Sequence, residues 1–423
     1  MQEGGVRVLV LGSGVVGTAS AWFLRAAGHE VTVLERQPGV ALETSRANGG
    51  QVSVSHSEPW ANPGAPLKIL KWLGKDDAPL LFRLRPELRQ WMWAMAFLRE
   101  CLPHRTKRNI RRLVALGLHS RRMLAELREG LGLDYDRGGR GILHFYTDPR
   151  DFEASVKSVR LMCELGCERR SLTADEAVAL EPALAAARAR IVGADFCAED
   201  ESGDAHRFSE QLAARSAAAG VRFLFSTTVT RLITIGGRLT AVEALGADGW
   251  PVRHSADAVV VALGVQSVAL LAPLGIHPRI YPAKGYSATF AVTEPAAAPT
   301  LSLTDDEYKL VFSRLGGTLR VAGTAEFAGH RRDLNLARCE ILARRAGALF
   351  PGACDYANPR YWTGMRPMTP SNVPCIGASP VRGLYLNTGH GTLGWTLAAG
   401  SGQLIADIVS GRTAALAWPD GLG

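Results

Sequence analysis

Three glycines and an acid are the first residues in this chain whose types and spacing point to chemistry. Gly12, Gly14 and Gly17 stand in the order G-x-G-x-x-G within VRVLVLGSGVVGTASAWFLRAAGHEVTVLE, residues 6 to 35, and the stretch closes on Glu35. Between a strand and a helix, the first glycine permits the tight turn and the second lets backbone approach a pyrophosphate. The third allows close helix–strand packing. The N–H groups that open the helix, around Ser13, Val15 and Val16, then face phosphate together with the positive end of the helix dipole. Glu35 falls where a carboxylate binds both ribose hydroxyls, so the whole stretch reads as a dinucleotide site.

The elements needed to position these residues follow from the pattern. Val6 to Leu11 is apolar except for Arg7 and reads as a buried parallel strand; a helix runs to Gly28, and Val31 to Leu34 forms the next strand. The loop after Glu35 (Arg36, then Thr44, Ser45, Asn48, Gly49, Gly50 and Gln51) offers small polar groups and backbone N–H groups to a phosphate or a flavin ring. Near the other end, a strand at Gly383 to Asn387 leads into a turn holding Gly389, His390, Gly391, Thr392, Leu393 and Gly394. A helix then runs through Ile408 to end near Gly411. Turn and helix aim positive charge at the electron-rich side of an isoalloxazine. Between them, a strand at Val221 to Phe225 is followed by a hairpin turning at Ala247-Asp248-Gly249 and a buried strand ending on Gly264.

Composition narrows the classes. At 423 residues, 47% hydrophobic and 21% charged, the chain is an ordinary globular protein of two domains. Seven scattered cysteines are odd in number and lack zinc spacing, although Cys163 and Cys167 lie four apart on an expected helix; free thiols and no metal are expected. Glu199, Asp200, Glu201 and Asp204 lack the calcium-loop pattern, and Asp204 fits a helix N-cap. The net charge of +8 is not arranged with aromatics in any nucleic-acid reader motif, so no nucleic-acid partner is expected.

No signal peptide opens the chain and no long apolar run follows, so a cytoplasmic protein is expected, or one held peripherally on the inner face of the cell membrane. Residues 86–129 show apolar spacing of two helices broken at Pro103. Trp91 and Trp93 lie upstream of the break, and Arg99, His104, Arg105, Lys107, Arg108, Arg111 and Arg112 lie around it. This reads either as peripheral contact with an anionic membrane or as a cap with a solvated basic face.

VLGSGVVGTASAWFLRAAGHEVTVLER, ETSRANGGQVS, PWANPGAPLKILKWL and the C-terminal YWTGMRPMTPSNVPCIGASPVRGLYLNTGHGTLGWTLAAGSGQLIADIVSGR together resemble the FAD-dependent D-amino acid dehydrogenases of the small-subunit type. These lie within the glycine, sarcosine and D-amino acid oxidase superfamily. The likeness covers most of the chain and is strongest at its ends. It implies an α/β fold: a Rossmann-type FAD-binding domain discontinuous in sequence (1–75, 190–275 and 360–423) with an α+β substrate or cap domain (76–189 and 276–359). The second domain is built on an antiparallel sheet, as the period-two pattern over 275–345 also suggests.

The implied reaction is oxidative deamination of D-amino acids to 2-oxo acids and ammonia, with electrons passing to a quinone or other respiratory acceptor. Val229 would lie against the adenine, and Ala262, Leu263 and Gly264 near the pyrophosphate. Arg366 of the G-x-R-P motif would clamp the substrate carboxylate, its aim fixed by Pro367. Tyr286 and Tyr308 would close the pocket and bond the substrate, or else serve as buried structural tyrosines. His390 reads first as a cofactor contact and second as a proton acceptor; His56 reads as structural. Gly364 stands where covalent flavin attachment would need a cysteine, and Cys375 is displaced from it, so the FAD is expected to be noncovalent. Oxidation of another amine (glycine, sarcosine or D-hydroxyproline) and a non-catalytic flavoprotein subunit are the alternative functions.

Overall fold

Residues 5–72 and 78–418 are described in the computed structural model; Leu73 of the quoted segment and the expected boundaries at 1, 75–76 and 423 lie outside them. The chain opens with β1 (Arg7–Leu11), α1 (Val15–Ala26), β2 (Glu30–Leu34), β3 (Gln51–Val52) and α2 (Ala65–Trp72). Then come β4 (Leu80–Phe82), α3 (Leu88–Glu100), α4 (Pro103–Leu131), β5 (Ile142–Tyr146), α5 (Pro149–Glu164), β6 (Arg169–Leu172) and α6 (Ala174–Leu180). The middle holds β7 (Gly193–Cys197), β8 (Glu201–Ser202), α7 (Ala205–Ala218), β9 (Arg222–Leu224), β10 (Thr228–Ile235), β11 (Arg238–Leu245), β12 (Pro251–His254), β13 (Ala258–Val261) and α8 (Ser267–Leu271). The last part is β14 (Tyr281–Ala291), β15 (Ser302–Asp305), β16 (Leu310–Leu315), β17 (Thr318–Phe327), α9 (Leu336–Leu349), β18 (Arg360–Met368), β19 (Cys375–Ala378), β20 (Leu384–Thr388) and α10 (Gly394–Val409).

The apolar run of β1 is the middle of a six-stranded sheet ordered β19-β20-β13-β1-β2-β9. Its pairings are parallel except β19 with β20, and Val10 faces Val33 on one side and Val260 on the other. Helices cover this sheet closely because glycine leaves room. A Cβ on Gly17 would stand 2.0 Å from the Gly12 carbonyl oxygen, and one on Gly402 would meet Ala19 backbone at 2.8 Å. Thus α1 and α10 lie side by side, their N-termini at the same edge of the sheet.

A nine-stranded sheet runs β18-β14-β17-β16-β15-β5-β7-β6, with β4 added beside β17. It is mixed rather than antiparallel throughout: β15 pairs with β5, and β17 with β4, in parallel. The period-two expectation also misses β14, which is buried at every residue but its last because both faces are covered. Two strands within the expected cofactor segments, 193–197 and 360–368, pair into this sheet. A three-stranded sheet, β10-β11-β12, carries the foreseen turn after β11.

The helix break at Pro103 lies where the sequence puts it, between α3 and α4. Trp93, one of the two tryptophans that the membrane reading drew on, is buried and donates Nε1–H to the Met368 carbonyl at 2.8 Å. Cys167 lies beyond α5 rather than on it. The acidic cluster is dispersed among separate partners. Asp204 caps α7, Glu201 meets Arg128 and Arg137, Glu199 meets Arg121, and Asp200 holds the loop at Ser53–Ser55. Among the described residues no group of three His, Cys, Asp or Glu is placed to hold a metal, and no helix is long and apolar enough to cross a membrane.

Arg169 shows how the interior treats charge. Wholly buried, it reaches Asp195 at 2.7 Å, Glu58 at 2.9 Å and the Ser55 carbonyl at 3.1 Å, tying the loop after β3 to β6 and β7. Removing one member of a buried ion pair strands the other. Arg169→Leu should therefore lower unfolding free energy by about 3–5 kcal/mol, read as a drop in the urea midpoint.

Candidate active site

At the edge of the six-stranded sheet where β1 enters α1 lies a cavity of about 400 Å³. Gly12 turns the chain with φ +97°, and a Cβ on Gly14 would find only Ser45 Oγ, 3.6 Å away, before entering the cavity. α1 begins with neither a side-chain cap nor an acidic residue in its first turn. Its N-terminal donors are thereby left for an anion, apart from Val15 N–H, which donates to Ser45 Oγ at 3.2 Å. Across the cavity, Glu35 is held by Ser13 N–H (2.7 Å) and Ser13 Oγ–H (2.9 Å) on one oxygen and by Gln37 N–H (2.9 Å) on the other. Each oxygen keeps acceptor capacity for a sugar hydroxyl.

The remaining walls are Val16, Arg36, Val229, Ala262, Leu263, Gly264 and the Gly389–Gly391 turn. Val229 sits at a bulge in the β10–β11 ladder, which re-aims the strand there. Ser13 acts through Glu35, and Gly17 acts through helix packing; neither lines the cavity. The sequence had singled out no residue among Thr227, Thr228 and Thr230, which also border it, because a threonine-rich strand start carries no motif.

A larger cavity, about 680 Å³, adjoins the first and shares Val15, Thr44, Ser45, Gly391 and Gly394 with it. Asn48, Gly49, Gly50, Gln51, Thr392 and Leu393, the expected flavin contacts, line this cavity, and α10, like α1, starts without an acidic residue. Gln51 spends its amide on β15, donating to Ser302 Oγ at 3.0 Å and Thr304 Oγ1 at 3.2 Å. Thr44 ties this loop to β18 through the Met365 carbonyl at 2.9 Å.

Arg366 projects from β18 over this cavity. Its Nη1 donates to the Thr324 carbonyl at 3.0 Å, and among the described residues no carboxylate pairs with it. Burial without a counter-charge pushes its guanidinium down to about 10, still protonated at neutral pH. A charged fork with free N–H groups, facing a cavity, has the geometry to accept a carboxylate in two parallel hydrogen bonds. Trp362, Gly364 and Thr324 surround it, and a Cβ on Gly364 would collide with the Trp362 ring at 2.1 Å.

The other residues expected to do chemistry are placed differently. Tyr286 lines the cavity with its ring, but its hydroxyl donates to Glu326 at 2.5 Å, and burial followed by that carboxylate raises its pKa. Tyr308 does not reach either cavity; its ring lies 4.2 Å below the Arg345 guanidinium, packed against the core. His390 borders the smaller cavity and shares a hydrogen bond with Ser401 at 3.1 Å, and burial lowers it to about 3, so it is neutral at pH 7 and a weak base. His56, taken as structural, lines the larger cavity together with His144, which the sequence did not single out.

The family model "FAD dependent oxidoreductase" matches residues 7–408. The D-amino acid dehydrogenase of Dechloromonas aromatica is 53% identical over 407 residues, covering 96% of this chain and 97% of its own. That of Paramagnetospirillum magneticum is 48% identical, covering 99% and 98%. In fold, glycine oxidase from Geobacillus kaustophilus superposes with a TM-score of 0.73 at 23% identity over 98% of this chain and 97% of its own. L-α-glycerophosphate oxidase from Mycoplasma pneumoniae, solved with FAD bound, gives 0.69 at 16% identity over 96% and 95%.

The residues fit such a cofactor. Two joined cavities, an uncapped helix start at their junction, an acid braced for a ribose, and a buried Asn387 Oδ1 without a partner beside the smaller cavity all suit a flavin dinucleotide.

His390 also couples stability to pH. Its folded pKa of about 3 lies below the ordinary 6.5, so the unfolded chain takes up the proton first as pH falls. The contribution is full above about 6.5 and is lost as pH falls towards 3. From pH 7 to 5 the loss is about 2 kcal/mol. Urea titrations at the two pH values should show His390→Asn losing less stability than the parent by that amount.

Proposed function

The chain belongs to the family of FAD-dependent oxidoreductases, and on that premise we propose that Arg366 is the group that holds its substrate by the carboxylate. The reaction is oxidative deamination of D-amino acids to 2-oxo acids and ammonia, with FAD as cofactor. The observation that carries the Arg366 assignment is a part-buried guanidinium, uncompensated by any described carboxylate, facing the cavity that adjoins the dinucleotide cavity.

FAD supplies acceptance of the hydride from the α-carbon. The chain supplies position and electrostatics. Thr324 holds one arm of Arg366, so the remaining N–H groups meet a carboxylate in a fixed direction and the α-carbon is placed with it. Trp362, Leu80 and Phe97 on the cavity wall exclude water around that clamp and strengthen it. The N-termini of α1 and α10 favour negative charge on the cofactor side. FAD is held without a covalent bond in this reading, supported by the lack of any cysteine among the described residues of either lining, Cys375 being buried without reaching them. The six-stranded sheet and its helices form the cofactor-binding unit, and the nine-stranded sheet forms the substrate unit.

A quinone or other respiratory acceptor receives the electrons, at a membrane surface. α3 supports that contact: Leu88 (74% exposed), Trp91, Met92, Met95 (68%) and Leu98 face outwards, and the basic start of α4 with His104, Lys107, Arg108 and Arg111 follows directly. The sequence left open whether the basic helices around Pro103 meet a membrane or form a solvated cap; the exposed apolar side chains lie mostly on α3, since α4 buries its own against α10.

Arg366→Ala should lower kcat/KM for D-alanine by about 10²–10³, chiefly through KM, while FAD is retained. Arg366→Lys should recover less than about a tenth of that, because a point charge lacks the fork. Unchanged saturation in either variant would remove the clamp. For the membrane, sedimentation with anionic phospholipid vesicles should pull down the parent at low salt and leave Met95→Asp in solution; equal sedimentation of both would remove α3 as the contact.

A further inference from the structure

The cavity below Arg366 is longer than alanine needs. Its floor is a single row of residues across the nine-stranded sheet, Trp362 on β18, Ala322 on β17, Val311 on β16, Thr304 on β15 and His144 on β5, each lining the cavity. Arg366 leans inward until its guanidinium meets Thr324 on β17. From β17 to β5 are three strand spacings, roughly 14 Å at about 4.8 Å each. The roof over this stretch is α2, eight residues or about 12 Å long, with Ala65, Lys68, Ile69 and Trp72 towards the cavity.

The far end is built for a hydrogen-bonding group. His56 and His144 stack with ring centroids 3.1 Å apart and an interplanar angle of 1°. Asp200 accepts from Ser55 Oγ (2.5 Å), Ser53 Oγ (3.0 Å) and Val54 N–H (3.0 Å), so the Ser55 hydroxyl proton is committed to it. The lone pair of Ser55 therefore receives Nδ1–H of His56 at 2.8 Å, which leaves His56 Nε2 as a bare acceptor. Among the described residues neither His56 Nε2 nor His144 Nε2 has a partner. A buried polar atom left so is costly unless a ligand or water meets it.

Charge selects what that ligand end can be. Burial first, then the charge of Arg169, holds both imidazoles well below their usual range, and Lys309 adds to this. Arg169 and Lys309 are themselves paired, with Glu58 and Asp195 and with Asp306, so the end of the cavity carries no unbalanced positive charge. A carboxylate would bring lone pairs to the bare lone pair of His56. A neutral N–H donor meets that acceptor and needs no counter-charge of its own.

We propose that His56 and His144 form a distal specificity subsite that binds the neutral amide end of a substrate side chain, so that D-amino acids of glutamine length bridge Arg366 and the histidine pair. The inference rests on Arg366 as the carboxylate clamp. In glutamine the carboxylate carbon and the amide nitrogen lie about 6 Å apart, and a hydrogen bond of about 3 Å at each end brings the span to about 12 Å. Alanine stops well short of it.

The test uses oxidised holoenzyme and carboxylates that cannot turn over, read as perturbation of the flavin spectrum. Glutaramate, which carries the amide, should bind at least tenfold tighter than pentanoate, which is similar in length and lacks it. His56→Phe and His144→Phe keep a stacking ring and remove the nitrogens; each should abolish the difference. In turnover, kcat/KM for D-glutamine relative to D-methionine should fall about tenfold in both variants, through KM. Equal binding of glutaramate and pentanoate by the parent overturns the subsite with no variant needed, and so does a preference that survives both substitutions. Failure of the clamp is distinguishable, because Arg366→Ala would then leave pentanoate affinity unchanged.

Discussion

The close approach of α1 to its neighbours is the constraint on which the site depends. The Gly12 carbonyl occupies the space a side chain at Gly17 would need, and α10 reaches Ala19 only because position 402 has no Cβ. These contacts put two helix N-termini at one edge of the six-stranded sheet, and both open without an acid or a cap. The two cavities meet there, sharing Val15 and Gly394 from the starts of those helices. Positive potential is thus concentrated at their junction by backbone alone, independently of any lysine or arginine.

The interior treats charge by two rules. Arg169 with Asp195, Arg345 with Asp305 and Lys284 with Glu326 are buried pairs, in which each ion offsets the desolvation of the other. Arg366 has a carbonyl in place of a carboxylate, and its remaining N–H groups are left to the cavity it faces. The pairs also brace the site: Arg169 fixes the loop that carries His56, and Glu326 fixes the hydroxyl of Tyr286.

α2 and α3 join this interior to the surface. They pack together through Ala65, Trp93 and Phe97, with α2 roofing the larger cavity. Leu67 and Leu70 on the outer side of α2 are exposed, as is the apolar side of α3. The exposed apolar side of these helices thus lies one helix away from the larger cavity.

How much was legible in the sequence depends on the range of the interaction. The strand–glycine–helix–strand–acid unit, the break at Pro103, the cap at Asp204 and the turn before α10 are set by φ restrictions, capping and periodicity within a few residues, and each lies where those rules put it. Arg366 was legible through its motif, although its lack of a partner was not. Tyr286, Tyr308, His390 and His56 were not resolved by type or spacing. Whether a tyrosine hydroxyl meets Glu326, or a histidine meets Ser401 or another histidine, depends on residues far away in the chain. The sequence by itself determined the dinucleotide unit and the chemistry of its ends. Only the tertiary structure decided which polar groups were left without partners, because hydrogen bonds across sheets and between loops are assigned by packing, and local sequence carries no record of them.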